Sequence, residues 1–391
     1  MKSTVAAMDF GTSKIVALVA ETSGRQRCDI IGAGIATYDG FLEGQWNAPD
    51  QLNQAIQDAV QKAEEQSHAR IREINVGVPG AFSTVYTVEA KVELQGADPR
   101  VTEKDINELF YRATESLGEI RGSIIHRSPA WFIVDDGKKT LEPVGTRGYE
   151  LRGMISFVVA DQFFLDDITE RFRSLGIQVN GCFSTPTGQA MLFIPDEERD
   201  RSAVLIDMGY LTTEVMVVEG DAITFLKTLP MGGGLMAADL AYGLEVNLGE
   251  AEKIKRAYIF GLAAGQETFD AVDKDGNAKS FTKEDVEKVL EPRVEEICDE
   301  VQETLKLSGA RLGNWSPVYL TGGALCINRG GKDFLAGKLN KPVRDLPRRA
   351  VKLSSPAYSS ALGLLDLIID TSANAPAGGA MSSFFKNLFG G

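Results

Sequence analysis

The sequence predicts an α/β fold made of two similar halves facing one cleft, and three observations carry that prediction. Residues 6–21 (AAMDFGTSKIVALVAE) and 203–219 (AVLIDMGYLTTEVMVVE) share one pattern: an apolar strand, Asp-x-Gly, a hydroxyl-bearing turn and a second apolar strand. In each half a third strand (29–36 and 222–229) and a helix (51–66 and 236–244) follow. Finally, residues 318–325 (VYLTGGAL) run as a strand into Gly322 and Gly323. A glycine pair at the carboxyl end of a strand is where α/β sheets collect ligands.

The two Asp-x-Gly turns suit a phosphate chain held between them. Gly11 and Gly209 lack a Cβ, so backbone can approach a ligand closely. Successive N–H groups in such a turn make an anion-binding concavity. Thr12, Ser13 and Lys14 add hydroxyl donors and a cation, and Asp9 and Asp207 are placed to hold Mg²⁺ through water. Taken singly, either turn also reads as an ordinary hairpin connection. In residues 249–256 (GEAEKIKR), Glu252 and Lys255 share a helix face, a spacing that by itself describes a surface ion pair.

Further along, the acidic stretch 270–280 fails as an EF-hand. Gly276 as its sixth position would put Ala271 first and Thr282 twelfth, so it reads as a hairpin tip between 267 and 282. A long helix over 283–308 follows, with Val286, Val289, Leu290, Val294, Ile297, Val301 and Leu305 on one stripe. Residues 361–369 close the fold as a helix, and 370–380 (DTSANAPAGGA) read as a flexible linker. The end of the sequence, MSSFFKNLFGG, puts Phe384, Phe385, Leu388 and Phe389 on one helical stripe opposite Lys386 and Asn387. That stripe suits a membrane surface, a partner protein or the chain's own body.

Composition narrows the function class. At 391 residues the chain is long enough for two domains with real cores. A net charge of −14 argues against nucleic acid as a partner, since phosphate backbones need a basic face. No run is apolar enough to span a membrane, and the start lacks a secretory pattern, which predicts a cytoplasmic protein. Cys28, Cys182, Cys298 and Cys326 have no metal-ligand spacing and read as buried free thiols. Only two histidines occur. His68 reads as a helix-end cap and His126 as structural.

In this order the elements resemble the actin-like ATPase superfamily, with its ribonuclease H-like duplicated fold, and within it the FtsA family. Specific stretches are 124–148 (with His126, Pro129, Phe132, Val134 and Asp135 in HxxPxxFxVD), 229–256 and 318–343. The resemblance implies a first domain over 1–200 with an FtsA-type insert at about 85–160. It implies a second domain over 201–369 with a partner-docking helical subdomain at about 236–312, a linker over 370–380 and a membrane-targeting tail over 381–391. By the same resemblance Asp9, Gly11, Thr12, Ser13 and Lys14 form one phosphate turn, and Asp207, Gly209, Thr212 and Thr213 the other. Gly322 and Gly323 match the adenosine motif, Glu252 and Lys255 the helix beside adenine and ribose, and Gly232, Gly233 and Gly234 a glycine turn near the nucleotide. The implied cofactors are ATP and Mg²⁺. The implied partners are the FtsZ C-terminal tail (contacted by Arg293, unless Arg293 only pairs with Glu296 or another acid), further copies in filaments, the inner leaflet at the division septum, and later division proteins.

One departure is that the family's second turn reads Asp-x-Gly-Gly-Gly-Thr-Thr-Asp, whereas Tyr210, Leu211 and Glu214 stand here. A Cβ opposes the left-handed geometry that glycine reaches freely, and Tyr210 competes for terminal-phosphate space. Hydrolysis is therefore expected to be weak or absent. Three alternatives share this reading: a small-molecule kinase, a PilM-like pilus-assembly scaffold and a nucleotide-free interaction protein. The kinase lacks a further cleft carboxylate, and the scaffold would not need the tail.

Overall fold

A computed structural model describes residues 2–23, 28–261, 268–313, 316–347 and 353–374. The first half opens with β1 (Lys2–Phe10), β2 (Lys14–Ser23) and β3 (Cys28–Thr37). A small hairpin, β4 (Phe41–Leu42) and β5 (Gln45–Trp46), leads to α1 (Pro49–Ser67) and β6 (Glu73–Val78). The chain then leaves the sheet for an inserted layer of β7 (Ser83–Glu93), α2 (Glu103–Ser116), β8 (Ser123–Val134) and β9 (Glu150–Ala160). It returns through α3 (Gln162–Ser174) to β10 (Gln178–Ser184), and α4 (Thr185–Phe193) and the short α5 (Asp196–Arg199) lead into the second half.

That half repeats the plan with β11 (Ala203–Met208), β12 (Thr213–Glu219) and β13 (Ala222–Leu229). Helices α6 (Gly233–Gly243) and α7 (Leu248–Ala257), the hairpin β14 (Thr268–Val272) and β15 (Ala278–Thr282), and α8 (Lys283–Leu307) come next. The last elements are β16 (Val318–Thr321), α9 (Gly331–Leu339), β17 (Val343–Asp345) and α10 (Ser359–Asn374).

The duplication read from the sequence is a duplication of topology. One sheet runs β10-β6-β1-β2-β3 and the other β17-β16-β11-β12-β13. In each, three antiparallel strands continue into two parallel ones. The fold is therefore the expected actin-like α/β architecture. Its halves are stitched by exchanged helices. From the first half, α4 packs Ala190 in a core with Leu205, Met216 and Val218 of the second sheet. From the end of the chain, α10 packs Leu364, Leu365 and Ile368 with Ala7, Val16 and Leu18 of the first.

The inserted sheet, β7-β9-β8, builds its own core from Leu109, Phe110, Phe132, Leu151 and Phe157. Pro129 is tolerated inside β8 because this is an edge strand and its register slips between Pro129 and Trp131. The insert leans on the second half, where Ser156 Oγ donates to the Ile223 carbonyl.

Two expectations change. The closing helix was expected to stop at residue 369, but α10 continues to Asn374. The polar residues that suggested a linker are absorbed by the helix: the Thr371 and Ser372 hydroxyls donate to the Leu367 and Ile368 carbonyls. The rest of the expected linker and the whole tail, with Phe384, Phe385, Leu388 and Phe389, lie outside the described residues. Among the cysteines Cys298 is buried as expected, but Cys28 is exposed because it opens β3 at the end of the strand.

Candidate functional site

Both Asp-x-Gly turns close in the same way. The Gly11 N–H donates to the Lys14 carbonyl at 3.0 Å, and the Gly209 N–H to that of Thr212 at 2.8 Å. A Cβ on Gly11 would lie 3.2 Å from Lys14 O, and one on Gly209 3.0 Å from Thr212 O. Neither glycine has a positive φ, so what glycine supplies here is a few tenths of an ångström of clearance. Tyr210 and Leu211 also lie outside the left-handed region. The backbone cost expected of their Cβ atoms therefore does not arise, because the turn closes with ordinary dihedrals. The two turns touch across the cleft, where the Leu211 N–H donates to Thr12 Oγ1 at 2.9 Å.

Three carboxylates converge beneath the turns. Asp9, next to the last residue of β1, is buried and accepts from Ser360 Oγ at 2.7 Å. Burial pushes its carboxyl up to about 6, with the Ser360 bond opposing and the Asp207 charge adding. Asp207 accepts from Gln189 Nε2 at 2.7 Å and is also raised by burial. Glu214 accepts the Gly80 N–H at 2.8 Å, and burial beside Asp207 pushes it up to about 8. Lys14 answers them, its ammonium 4.5 Å from the Tyr358 ring centroid. Burial lowers the Lys14 pKa while Asp9 and Asp207 resist. The exchanged helices thus orient both aspartates, through Gln189 of α4 and Ser360 of α10.

Among the described residues no three His, Cys, Asp or Glu side chains cluster closely enough to cage a metal. Asp9 and Asp207 suit a magnesium ion that keeps its waters and takes its other ligands from phosphate oxygens.

At the third turn Gly322 has φ +96°, and a Cβ there would lie 2.3 Å from Met208 O and 2.5 Å from Asp207 Oδ1. Gly323 is roomier, since its Cβ would meet Ala357 Cβ at 3.5 Å. A cavity of about 510 Å³ gathers Asp9, Gly11, Thr12, Ser13, Lys14, Asp207, Gly209, Thr212, Glu252, Gly322 and Gly323.

Several expected residues stand behind this surface. Lys255 is fully buried, donating to the Gly233 carbonyl at 2.8 Å and to Glu252 Oε2 at 2.6 Å. Its pair with Glu252 is therefore half interior, unlike the surface pair that spacing suggests, and Arg256 lines the cleft instead. The Gly233 and Gly234 N–H groups donate to the Gly209 and Tyr210 carbonyls, and a Gly232 Cβ would sit 2.6 Å from Gly209 O. The three glycines therefore brace the second turn from behind. Thr213 is buried and donates to the Met231 carbonyl.

Sequence reasoning missed Glu214, Thr185, Arg256 and the 355–360 segment, all of which line the cavity. Glu214 carried a signal, standing where the family pattern has Asp.

Elsewhere, Arg293 on α8 pairs with Asp239 of α6 and with Glu296. His126 is enclosed, and burial takes its pKa down to about 4. His68 caps α1 in the left-handed conformation at φ 54°. The 273–277 loop is the tip of the β14–β15 hairpin, closed by Asp273 accepting from the Asp275 and Asn277 N–H groups. Among the described residues no helix is long and apolar enough to cross a membrane.

Comparison with known proteins bears on the fold and on the relatives of this chain. A family model for the cell division protein FtsA matches residues 204–363. The cell division protein FtsA of Pseudomonas aeruginosa is 25% identical over 370 residues, covering 92% of this chain and 88% of the relative. Among solved structures, a PilM-PilN type IV pilus biogenesis complex matches with TM-score 0.63 at 18% identity, covering 93% of this chain and 98% of that one. MreB5 of Spiroplasma citri bound to ADP matches with TM-score 0.52 at 12% identity, covering 96% and 99%. The structural likenesses carry an actin-like fold, and this chain is similar to the cell division protein FtsA over nearly its whole length.

Proposed function

We propose that this chain is an ATP-binding, polymer-forming adaptor that ties FtsZ filaments to the inner leaflet of the cytoplasmic membrane at the division septum. The observation that carries the reading is the facing pair of hairpin turns with Asp9 and Asp207 beneath them in one cavity. The N–H groups and hydroxyls of Thr12 and Ser13, with Lys14, cradle the phosphates from one side, and the Thr212 hydroxyl beside the open backbone of Gly209 from the other. Gly322 and Gly323 admit the adenosine, and Glu252 with Arg256 edges the ribose side. Asp9 and Asp207 would hold a magnesium ion through its waters, and the ion would neutralise phosphate charge. The ADP bound by MreB5, which shares the fold, supports a nucleotide here.

Hydrolysis is slow at most in this reading. The Leu211 amide, which would face a terminal phosphate, is donated to Thr12. Tyr210 takes space that glycine leaves open.

The domains divide as the resemblance implies. The 85–160 insert supplies polymer contacts or docks later division proteins. The FtsZ tail, an acidic peptide, approaches the face formed by α7 and α8, where Arg293 exchanges its pairs with Asp239 and Glu296 for the peptide's carboxylates. Membrane attachment falls to Phe384, Phe385, Leu388 and Phe389. Burying those four side chains supplies on the order of 6–10 kcal/mol at the upper limit, of which helix formation consumes much. One tail is therefore weak, and filaments carrying many tails attach firmly.

Liposome co-sedimentation tests the whole reading. Full-length chain and a chain ending at Ala380 are compared, each with and without Mg-ATP. Tail-dependent, ATP-enhanced pelleting is expected. No pelleting of either form would sink it and favour a second reading, a pilus-assembly scaffold, which the PilM likeness supports.

A further inference from the structure

A second, larger cavity lies outside the cleft, and the proposed function leaves it unused. It is open, about 1280 Å³, and sits below the first sheet between α3, the start of β8 and the end of α10. Two sheet edges border it. β10 is the outer strand of its sheet and β8 the outer strand of the insert, so both carry backbone groups that no neighbouring strand takes. Apolar side chains from four elements line it, among them Val5, Ile124, Leu165 and Phe183.

Two polar features are left without their natural complement. Arg127 reaches the cavity with its Nε buried and without a hydrogen-bond partner among the described residues. Asp166, on the wall formed by α3, accepts from the neutral Gln162 amide at 2.8 Å. A buried guanidinium N–H without an acceptor costs free energy, and a carbonyl from an entering chain would satisfy it.

The last described turn of α10 forms the rim of this cavity through Thr371 and Ser372. The residues that follow Asn374 therefore start at its mouth. Their sequence holds three phenylalanines and a leucine at spacings that a helix would gather on one stripe, opposite Lys386. The linker residues 375–380 and Met381 to Ser383 are ample to bring Phe384 back into the cavity, at up to ~3.3 Å per residue.

We propose that the cavity bounded by α3, β8, β10 and α10 is the docking site of this chain's own C-terminal segment, residues 381–391. The aromatic stripe covers the apolar lining, backbone carbonyls of the segment accept from Arg127, and Lys386 faces the acidic wall at Asp166. Docked there, the segment is parked in the body of its own molecule, and any surface that takes it must compete with this cavity. The assignment rests on the cavity and the exit point of α10, and holds whether or not the cleft binds nucleotide.

Amide hydrogen exchange without lipid or nucleotide tests it, so its outcome is separate from that of membrane pelleting. The full chain is compared with a chain ending at Ala380, which keeps every described residue, and with Phe385→Glu. Amides of 123–127 and 180–183 should exchange at least tenfold faster in both altered chains. Adding the synthetic peptide MSSFFKNLFGG to the shortened chain should restore the protection. Equal exchange in the full and shortened chains overturns the proposal. Protection that rises with protein concentration overturns it in favour of a segment supplied by a second copy.

Discussion

Gly322 and Gly323 are adjacent, yet the site asks different things of them. At Gly322 the left-handed φ and the 2.3 Å approach to Met208 O leave no room for a methyl group. Gly322→Ala should therefore cost ~1–3 kcal/mol of stability in urea titration, whereas Gly323→Ala should stay within about 0.5 kcal/mol. Similar losses at both positions would mean that the turn is not held as described. Glu214 gives a pH prediction. Its pKa rises from 4.5 in the unfolded chain to about 8 in the fold, so the folded state binds the extra proton between those values. Its contribution is complete below pH 4.5 and lost as pH climbs through 8, and Asp9 adds a smaller loss of the same sign between 3.8 and about 6. Without Mg²⁺, Glu214→Gln should flatten the fall in stability between pH 5 and 8. Parallel profiles for parent and variant would refute that assignment. Asp9, Gly11 and Lys14 were legible in the sequence because strand, turn and strand are written within a few residues. The partnership of Glu214 with Gly80 was not, since 134 residues separate them and only the closing of the two halves brings them together.

Helix α4 crosses α10 at a pair of glycines, and this contact governs both aspartates of the cleft. A Cβ on Gly363 would lie 2.4 Å from Gln189 Cα, and one on Gly188 2.4 Å from Gly363 O. Gly363→Ala must push the helices apart, at ~1–3 kcal/mol for overpacking. It should also weaken nucleotide binding, because Gln189 and Ser360 lose their reach to Asp207 and Asp9. The check is a urea midpoint together with a fluorescent-nucleotide titration, and a change in stability alone would uncouple the crossing from the cleft. Periodicity had made the helices themselves readable. The stripe of α8 matches its buried residues Val286, Leu290, Val294, Ile297 and Val301, even with Pro292 inside the helix. A crossing of glycines leaves no such period, since it consists of missing side chains. For the same reason the run Gly232–Gly234 suggested a ligand-facing turn, although Gly232 and Gly234 lie against carbonyls of the second turn and Gly233 against Ala324.

Each sheet has a core of its own on one face, but on the other face α4 and α10 are exchanged between the two halves. The first sheet is covered by a helix from the end of the chain, and the second by one that precedes it. A ligand gripped by both turns should therefore stabilise the molecule as one cooperative unit. At a hundredfold excess over Kd, binding to the folded state alone adds about 2.7 kcal/mol. For a chain of this size that is a rise of a few degrees in Tm. The carboxylates of Asp9 and Asp207 repel naked phosphate, with Lys14 as the cation on that side of the cleft, so the gain should depend on the metal. Mg-ATP should thus raise a single melting transition, and EDTA added with the same ATP should remove most of the rise. Two transitions, of which ATP moves one, would mean that the halves melt independently and that the exchanged helices do not couple them. A full shift in EDTA would mean that the aspartates contribute nothing through a metal. In that case the hydroxyls, amides and Lys14 of the first turn would hold the phosphates unaided, and Lys14→Ala should then abolish the shift.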